Sequence, residues 1–136
     1  MEEEIINKVA NSGLLTIDLE KFYPEEELLA FDIKEHLFMG LILKEKEFRQ
    51  ALKEIDWTKY NHKIVAITCT ADAIIPIWAY MLIAAYLQPL ARDILFTDPK
   101  DALEKIILKN LNAMPLEAYK DQRVVIKGCG EKHIGE

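Results

Sequence analysis

The residues of this chain that could carry out chemistry are its two cysteines, Cys69 and Cys129, which stand 60 positions apart. Each follows a tyrosine, a polar stretch ending in a basic residue, and an apolar run rich in β-branched residues, so the two segments form a faint internal repeat. Such a run predicts a strand, and open α/β sheets bind ligands at the carboxyl ends of their strands. We therefore expect each thiol at a strand end, and a shared site if the two strands are neighbours.

The first cysteine lies in Cys69-Thr70-Ala71-Asp72, between a predicted buried strand and the start of a predicted helix. Free N–H groups and the positive end of a helix dipole attract anions and stabilise thiolates at such a place. Thr70 and Asp72 are candidate cofactor-binding residues, but the Asp72 carboxylate would work against a thiolate or a bound anion there. The alternative is that Cys69 is a small buried residue and that Asp72 caps the helix.

The second cysteine is flanked by glycines, in Gly128-Cys129-Gly130, and His133 follows four positions later. Glycines permit unusual backbone angles and the close approach of a ligand to the main chain, so Gly128 and Gly130 are also candidate cofactor-binding residues. His133 could serve as a base or as a metal ligand. The alternative is that the glycines only form a turn after a strand.

These residues predict a metal site made of Cys69, Cys129 and His133. A closed zinc or iron–sulfur site normally takes four ligands, so further ligands would come from Asp72, a lost C-terminal segment or a second subunit. A thiol-dependent enzyme, with Cys129 as nucleophile and His133 as base, is another alternative. The chain has no Walker loop, GxGxxG, GxSxG or HExxH motif, and this favours a protein that is not an enzyme.

Composition limits the class of protein. The chain has 136 residues and a net charge of −6, which argues against binding to nucleic acid or to an anionic membrane. An acidic start, Met1 to Glu4, and two widely spaced cysteines predict a cytoplasmic protein with free thiols. His36 and His62 stand in polar contexts and are expected to be solvated.

Periodicity and chain breakers predict alternating helices and strands, and therefore a single α/β domain with a mainly parallel sheet and helices on both faces. The predicted helices cover 2–12, 44–55, 75–87 and 100–112, and the predicted strands cover 14–19, 28–33, 63–68, 92–96 and 123–127. Residues 33–43 are compatible with a helical turn or an edge strand. Within the single domain, 1–136, we divide the chain into 1–43 (an N-terminal helix and short strands), 44–98 (the first repeat unit) and 99–136 (the second, incomplete unit).

The repeat also predicts an apolar face that no helix or strand of its own copy covers. A loop, a helix and a strand follow Cys69, whereas only seven residues follow Cys129, so the second copy is expected to be cut short. The predicted helix 75–87 has no charged residue, and a helix that is apolar all round must be buried on more than one side. Both observations favour a homo-oligomer, and they support the alternative that the chain is an interaction or scaffold domain without a site.

Several blocks together resemble a bacterial family catalogued as domain of unknown function 2480, over essentially the whole chain. The blocks are Glu4–Ala10, Phe31–Lys34, Leu41–Lys46, Asp56–Tyr60, Cys69–Leu82 and Ile126–Cys129. The resemblance implies that relatives are longer, with a further cysteine in the added tail, and that they have serine and proline where this chain has Gly130 and Gly135. It also implies a genomic association with iron–sulfur assembly genes.

Together, the residues and the resemblance predict a cytoplasmic accessory protein whose cysteine-bearing strand ends hold a metal, an iron–sulfur cluster or a small ligand. Iron–sulfur assembly proteins are the expected partners.

Overall fold

The computed structural model describes residues 13–128, 130 and 134, and within them strands and helices alternate. The strands are β1 (Leu15–Asp18), β2 (Leu28–Asp32), β3 (Ile64–Thr68), β4 (Asp93–Leu95) and β5 (Val124–Lys127). The α-helices are α1 (Glu45–Glu54), α2 (Ile77–Leu87) and α3 (Pro99–Asn112), and short 3-10 helices cover Leu19–Phe22, Ile33–His36, Trp57–Tyr60 and Glu117–Tyr119. The predicted helix over 2–12 lies outside the described residues.

Every pair of strands among the described residues is parallel, which confirms the predicted α/β class. The strands form two sheets, one with the order β2-β3-β4 and the other with β1 beside β5. The chain divides into two compact units, of which one comprises 25–103 and holds the three-stranded sheet. The other unit holds the two-stranded sheet. The internal repeat stays a prediction.

The core of the larger unit is built on β3. Its residues Ile64 to Ile67 are at most 2% exposed, which confirms the prediction of a strand buried on both faces. Val65 and Ile67 share one face with Phe31 of β2, as the parallel register requires. The helices α1 and α2 supply a further part of this cluster. Their buried members are Phe48, Leu52, Ala79, Ile83 and Leu87.

The helix α2 begins later than the sequence predicts. Pro76 has extended backbone angles and occupies the cap position, so the first helical residue is Ile77. Only one stripe of α2 is buried, and Ile77 and Met81 on the helix are 75% and 56% exposed. Because α2 has no charged residue, its unburied side is an exposed apolar surface.

The start of α3 agrees with the sequence. The Asp98 carboxylate accepts a hydrogen bond from the Asp101 N–H at 2.9 Å, and Pro99 occupies the first helical position. Further along the same helix, the Asn110 side chain donates to the Phe22 carbonyl at 2.8 Å. This hydrogen bond connects the end of α3 to the segment that follows β1.

Residues 33–43 combine the two structures that the sequence left open. A 3-10 turn over Ile33–His36 is capped by the Asp32 carboxylate, which accepts from the Lys34 N–H at 3.0 Å. A small hairpin follows, in which Phe38 and Ile42 form an isolated antiparallel bridge. Its tip turns through positive φ at Met39 and Gly40, as in a type I′ turn.

The expected solvation of the histidines holds for one of them only. His62 is exposed, but His36 is half-buried and stacks on Phe31 with ring centroids 5.1 Å apart. The stack continues through Trp57 to Tyr86, with interplanar angles of 8° and 3°. The prediction for His36 was wrong because its aromatic neighbour, Phe31, lies on a strand five residues earlier.

Candidate functional site

The candidate site lies at the carboxyl edge of the three-stranded sheet. Asp32 and Thr68 are register partners at the ends of β2 and β3, and Cys69 is the first residue after β3. A loop then leads to α2, which starts eight positions after Cys69. Cys69 therefore follows the carboxyl end of a strand, as the sequence predicts, and ligands of parallel sheets bind at such an edge.

A hollow of about 410 Å³ opens beside Cys69. Its walls come from the end of β3, from the first turns of α2 and from the residues after β4. The lining residues are Ile67, Thr68, Cys69, Ile77, Tyr80, Met81, Phe96 and Thr97. A mostly apolar concave surface of this size with a few polar groups is typical of a site for a small organic molecule.

The Cys69 thiol is partly buried and packs against the core cluster. Its sulfur lies 3.7 Å from the Ala71 carbonyl oxygen, to which the S–H donates a weak hydrogen bond. In this contact the thiol acts as the donor. The thiol therefore presents a soft, polarisable surface to the hollow.

The phenol of Tyr80 is the second polar group of the hollow. Its ring meets Phe96 edge-on, with centroids 6.1 Å apart. Burial raises the pKa of Tyr80, and the nearby Cys69 raises it further. The phenol is therefore uncharged over the physiological range and can donate or accept one hydrogen bond.

The loop after Cys69 is held by a carboxylate that the sequence analysis did not identify as functional. Asp32 accepts hydrogen bonds from the Thr70 N–H at 3.0 Å and from the Thr70 hydroxyl at 2.5 Å. Burial alone would raise the pKa of Asp32, but the hydrogen bonds from Thr70 and Lys34 together lower it. Only its place at the end of a predicted strand could have pointed to Asp32.

The two candidate residues beside Cys69 have different surroundings. Thr70 is exposed and bonded to Asp32, and it is not among the residues that line the hollow. Asp72 is exposed and lies four positions before Pro76, the cap residue of α2. The alternative prediction that Asp72 caps this helix was therefore wrong, because the proline delays the helix start.

The second cysteine segment follows β5, which lies in the two-stranded sheet. Since β3 and β5 belong to different sheets, the strands that precede Cys69 and Cys129 are not neighbours, and that premise of a shared site was wrong. Cys129 and His133 themselves lie outside the described residues. Whether they hold a metal or a cofactor stays a prediction.

The two glycines of that segment are exposed, and neither adopts an unusual backbone angle. A Cβ added to Gly128 would lie 3.6 Å from the Leu19 side chain, an ordinary contact, while one added to Gly130 would collide with the Glu20 carboxylate. Neither glycine has a φ in the left-handed region. The carboxylate beside Gly130 also disfavours an anionic ligand there.

Metal ligands do not cluster in the described part of the chain: residues 13–128, 130 and 134 contain no group of three or more His, Cys, Asp or Glu side chains placed to hold an ion. Every helix in this part is too short or too polar to span a membrane. The hollow beside Cys69 is therefore the best-supported candidate site.

The chain belongs to the family described as protein of unknown function, DUF2480, whose model matches residues 3–136. This confirms the resemblance found in the sequence. Neither a curated protein nor a solved structure matches the chain significantly.

Proposed function

We propose that this DUF2480 protein is an accessory binding protein, not an enzyme, which holds a small and mainly apolar ligand in the hollow beside Cys69. The observation that carries the proposal is the hollow itself. It combines a concave apolar wall with a thiol at the carboxyl edge of a parallel sheet.

The exposed rim of the hollow supplies the driving force. Ile77, Met81 and Phe96 are all more than half exposed, although each is a large apolar side chain. Apolar surface removed from water contributes about 25 cal/mol per Å², so a ligand that covers these side chains gains affinity from burial alone. A cluster of exposed apolar residues around a concavity is typical of a binding site.

The polar groups of the hollow indicate an uncharged ligand. The hydroxyls of Thr68 and Thr97, the phenol of Tyr80 and the thiol of Cys69 can form hydrogen bonds, but none of them is a cation. A charged ligand would lose its hydration there without gaining an opposite charge from the lining. We therefore propose a neutral aromatic or aliphatic molecule with one or two polar atoms.

The metal form of the proposal uses Cys69 with Cys129 and His133 as ligands, and Thr70, Asp72, Gly128 and Gly130 around the bound group. Its support is the pair of cysteine segments in the sequence together with the genomic association that the resemblance implies. That association makes iron–sulfur assembly proteins the proposed partners, and the two widely spaced cysteines, which predict free thiols, make the cytoplasm the proposed location. The described geometry supports an organic ligand better, because Cys69 is the one member of the ligand set that the structure describes and the hollow beside it is mostly apolar.

Binding of an uncharged fluorescent dye such as Nile red tests the organic-ligand form. Met81→Glu places a charge in the hollow, and Leu108→Glu places the same charge at a residue of similar exposure on α3. We expect wild type and Leu108→Glu to bind alike and Met81→Glu to bind at least about ten-fold more weakly, which is about 1.4 kcal/mol. Equal binding by both variants, or no binding by wild type, would overturn the proposal.

Anaerobic purification with metal analysis tests the metal form. We expect bound iron or zinc in wild type, with a loss in both Cys69→Ser and Cys129→Ser. Metal that persists in either variant contradicts this ligand set, and metal-free wild type leaves the organic ligand as the only form of the proposal.

A further inference from the structure

The hollow beside Cys69 has two aromatic rings in its wall. Tyr80 belongs to α2 and Phe96 to the segment after β4, and their ring planes stand at 78° with the centroids 6.1 Å apart. Both residues line the hollow, so this ring pair forms part of the surface that a ligand would touch. Phe96 is 51% exposed, and its side chain therefore has free surface for a further contact.

Two rings at nearly right angles form half of a herringbone arrangement. The face of an aromatic ring is electron-rich and its edge is electron-poor, so rings prefer edge-to-face and offset-stacked contacts. A third ring that enters the hollow can lie parallel to one member of the pair while its edge meets the face of the other. A saturated ring lacks this charge distribution and gains affinity from burial alone.

Two sulfur atoms strengthen the same preference. The Met81 thioether and the Cys69 thiol both belong to residues that line the hollow, and sulfur makes favourable contacts with aromatic rings at about 5 Å. Met81 is 56% exposed, so its side chain is accessible to a ligand. Together with the ring pair, these groups favour an aromatic ligand over an aliphatic one of the same size.

The polar groups of the wall suit a ligand with one polar atom on its ring. Cys69 stands close enough to Tyr80 to raise the pKa of the phenol, so the thiol and the phenol occupy the same part of the hollow. The uncharged phenol can donate or accept one hydrogen bond. A hydroxyl or carbonyl group on the ligand can form this bond while the rest of the ring contacts the apolar wall.

We infer that the hollow takes a flat aromatic molecule with a hydroxyl or carbonyl group, and that it binds the saturated analogue more weakly. The hollow of about 410 Å³ lies near the lower end of the range for small-molecule sites, roughly 300 to 1,000 Å³, so the ligand is compact. This inference rests on the proposed function and narrows its neutral organic ligand to one chemical class.

Calorimetric titration with 2-naphthol and with decahydro-2-naphthol tests the inference. The two alcohols have the same carbon skeleton and the same hydroxyl group, but only the first is aromatic and flat. We expect wild type to bind 2-naphthol at least about five-fold more tightly, because only an aromatic ligand makes the ring and sulfur contacts. Equal affinity for the two alcohols, or no binding of either, would overturn the inference.

Substitutions at Phe96 test whether the preference arises in the hollow. Phe96→Leu keeps an apolar side chain but removes a ring, and we expect the preference for 2-naphthol to fall at least about two-fold. Phe96→Tyr keeps the ring and should retain the preference. Ile77→Leu, an exchange of aliphatic side chains in the same wall, is the matched control and should retain it too. A preference that Phe96→Leu leaves unchanged would mean that 2-naphthol binds elsewhere, and the inference would be wrong.

Nile red binding separates a failure of this inference from a failure of the proposed function. Dye binding that Met81→Glu weakens, together with equal affinity for the two alcohols, would overturn the aromatic class and leave the proposed function intact. Dye binding that does not depend on Met81 would overturn the proposed function and, with it, the inference.

Discussion

The strands β3 and β5 have nearly the same local sequence pattern and opposite surroundings. Val65 of β3 and Val125 of β5 stand 60 positions apart, at matching points of the predicted repeat. Val65 is fully buried between β2 and β4, whereas Val125 is 42% exposed on a strand that, among the described strands, pairs with β1 alone. A local pattern can therefore specify a strand without specifying what covers it.

This difference bears on the two cysteines. Cys69 leaves a strand that is fixed on both edges and packed on both faces, and its loop is held by Asp32. Functional groups on such supported elements are positioned more accurately than groups on loosely packed ones. The Cys69 thiol, which lines the hollow, follows such a supported element.

The largest expected effect is a difference in stability between substitutions of the two valines. Val65→Ala removes two buried methyl groups from the centre of the core, and we expect it to lower the free energy of unfolding by about 2 kcal/mol. Val125→Ala removes the same groups from a half-exposed strand and should cost about 0.5 kcal/mol or less. Urea denaturation of both variants measures the difference. Equal losses would show that the two strands are equally covered.

A smaller effect concerns the loop after Cys69. Asp32→Ala removes the acceptor of the Thr70 bonds, and we expect a stability loss of about 1 to 2 kcal/mol with faster alkylation of Cys69. Asp56→Ala is the matched control, because Asp56 makes the same pair of bonds to Thr58, two residues away and remote from the loop. The alkylation rate in the Cys129→Ser background measures the effect. An unchanged rate in Asp32→Ala would contradict the positioning role.

The smallest expected effect is a pH dependence from His36. Burial lowers its pKa below 6.5, and the charge of Lys59 adds to this, although Glu35 and Asp32 act in the opposite direction. The unfolded chain therefore binds the proton first, so stability is complete above pH 6.5 and declines as the pH falls towards the folded pKa.

Denaturation of His36→Phe between pH 5 and 8 measures this contribution, since phenylalanine keeps the stack on Phe31 and removes the titrating group. The slope below pH 6.5 should be shallower than in wild type. His62→Asn, at an exposed histidine whose backbone is left-handed, should keep the wild-type slope. If His62→Asn changed the slope of stability against pH and His36→Phe did not, the assignment of this pH dependence to His36 would be wrong.

Sequence patterns among neighbouring residues were sufficient to predict most of the helices and strands. The predicted strand 63–68 and the predicted helices 44–55 and 100–112 agree with β3, α1 and the start of α3 within one or two residues. Each of these depends on neighbours within a few positions along the chain.

The remaining features depend on distant residues. The bond from Thr70 to Asp32 joins positions 38 apart, and the partition of the strands into two sheets depends on which strands meet after folding. Likewise, the hollow requires Phe96 to face Tyr80 across the α2 to β4 connection. Sequence periodicity contains no information about such pairings, and so the sequence identified Cys69 but not the surface beside it.

The most direct test of the ligand site is the alkylation rate of Cys69 in the Cys129→Ser protein, measured with and without saturating Nile red. If the dye occupies the hollow, it covers the thiol, and the rate should fall about ten-fold or more, the factor that a site occupied ninety per cent of the time produces. An unchanged rate while the dye is fully bound would show that apolar molecules bind elsewhere and would contradict the account.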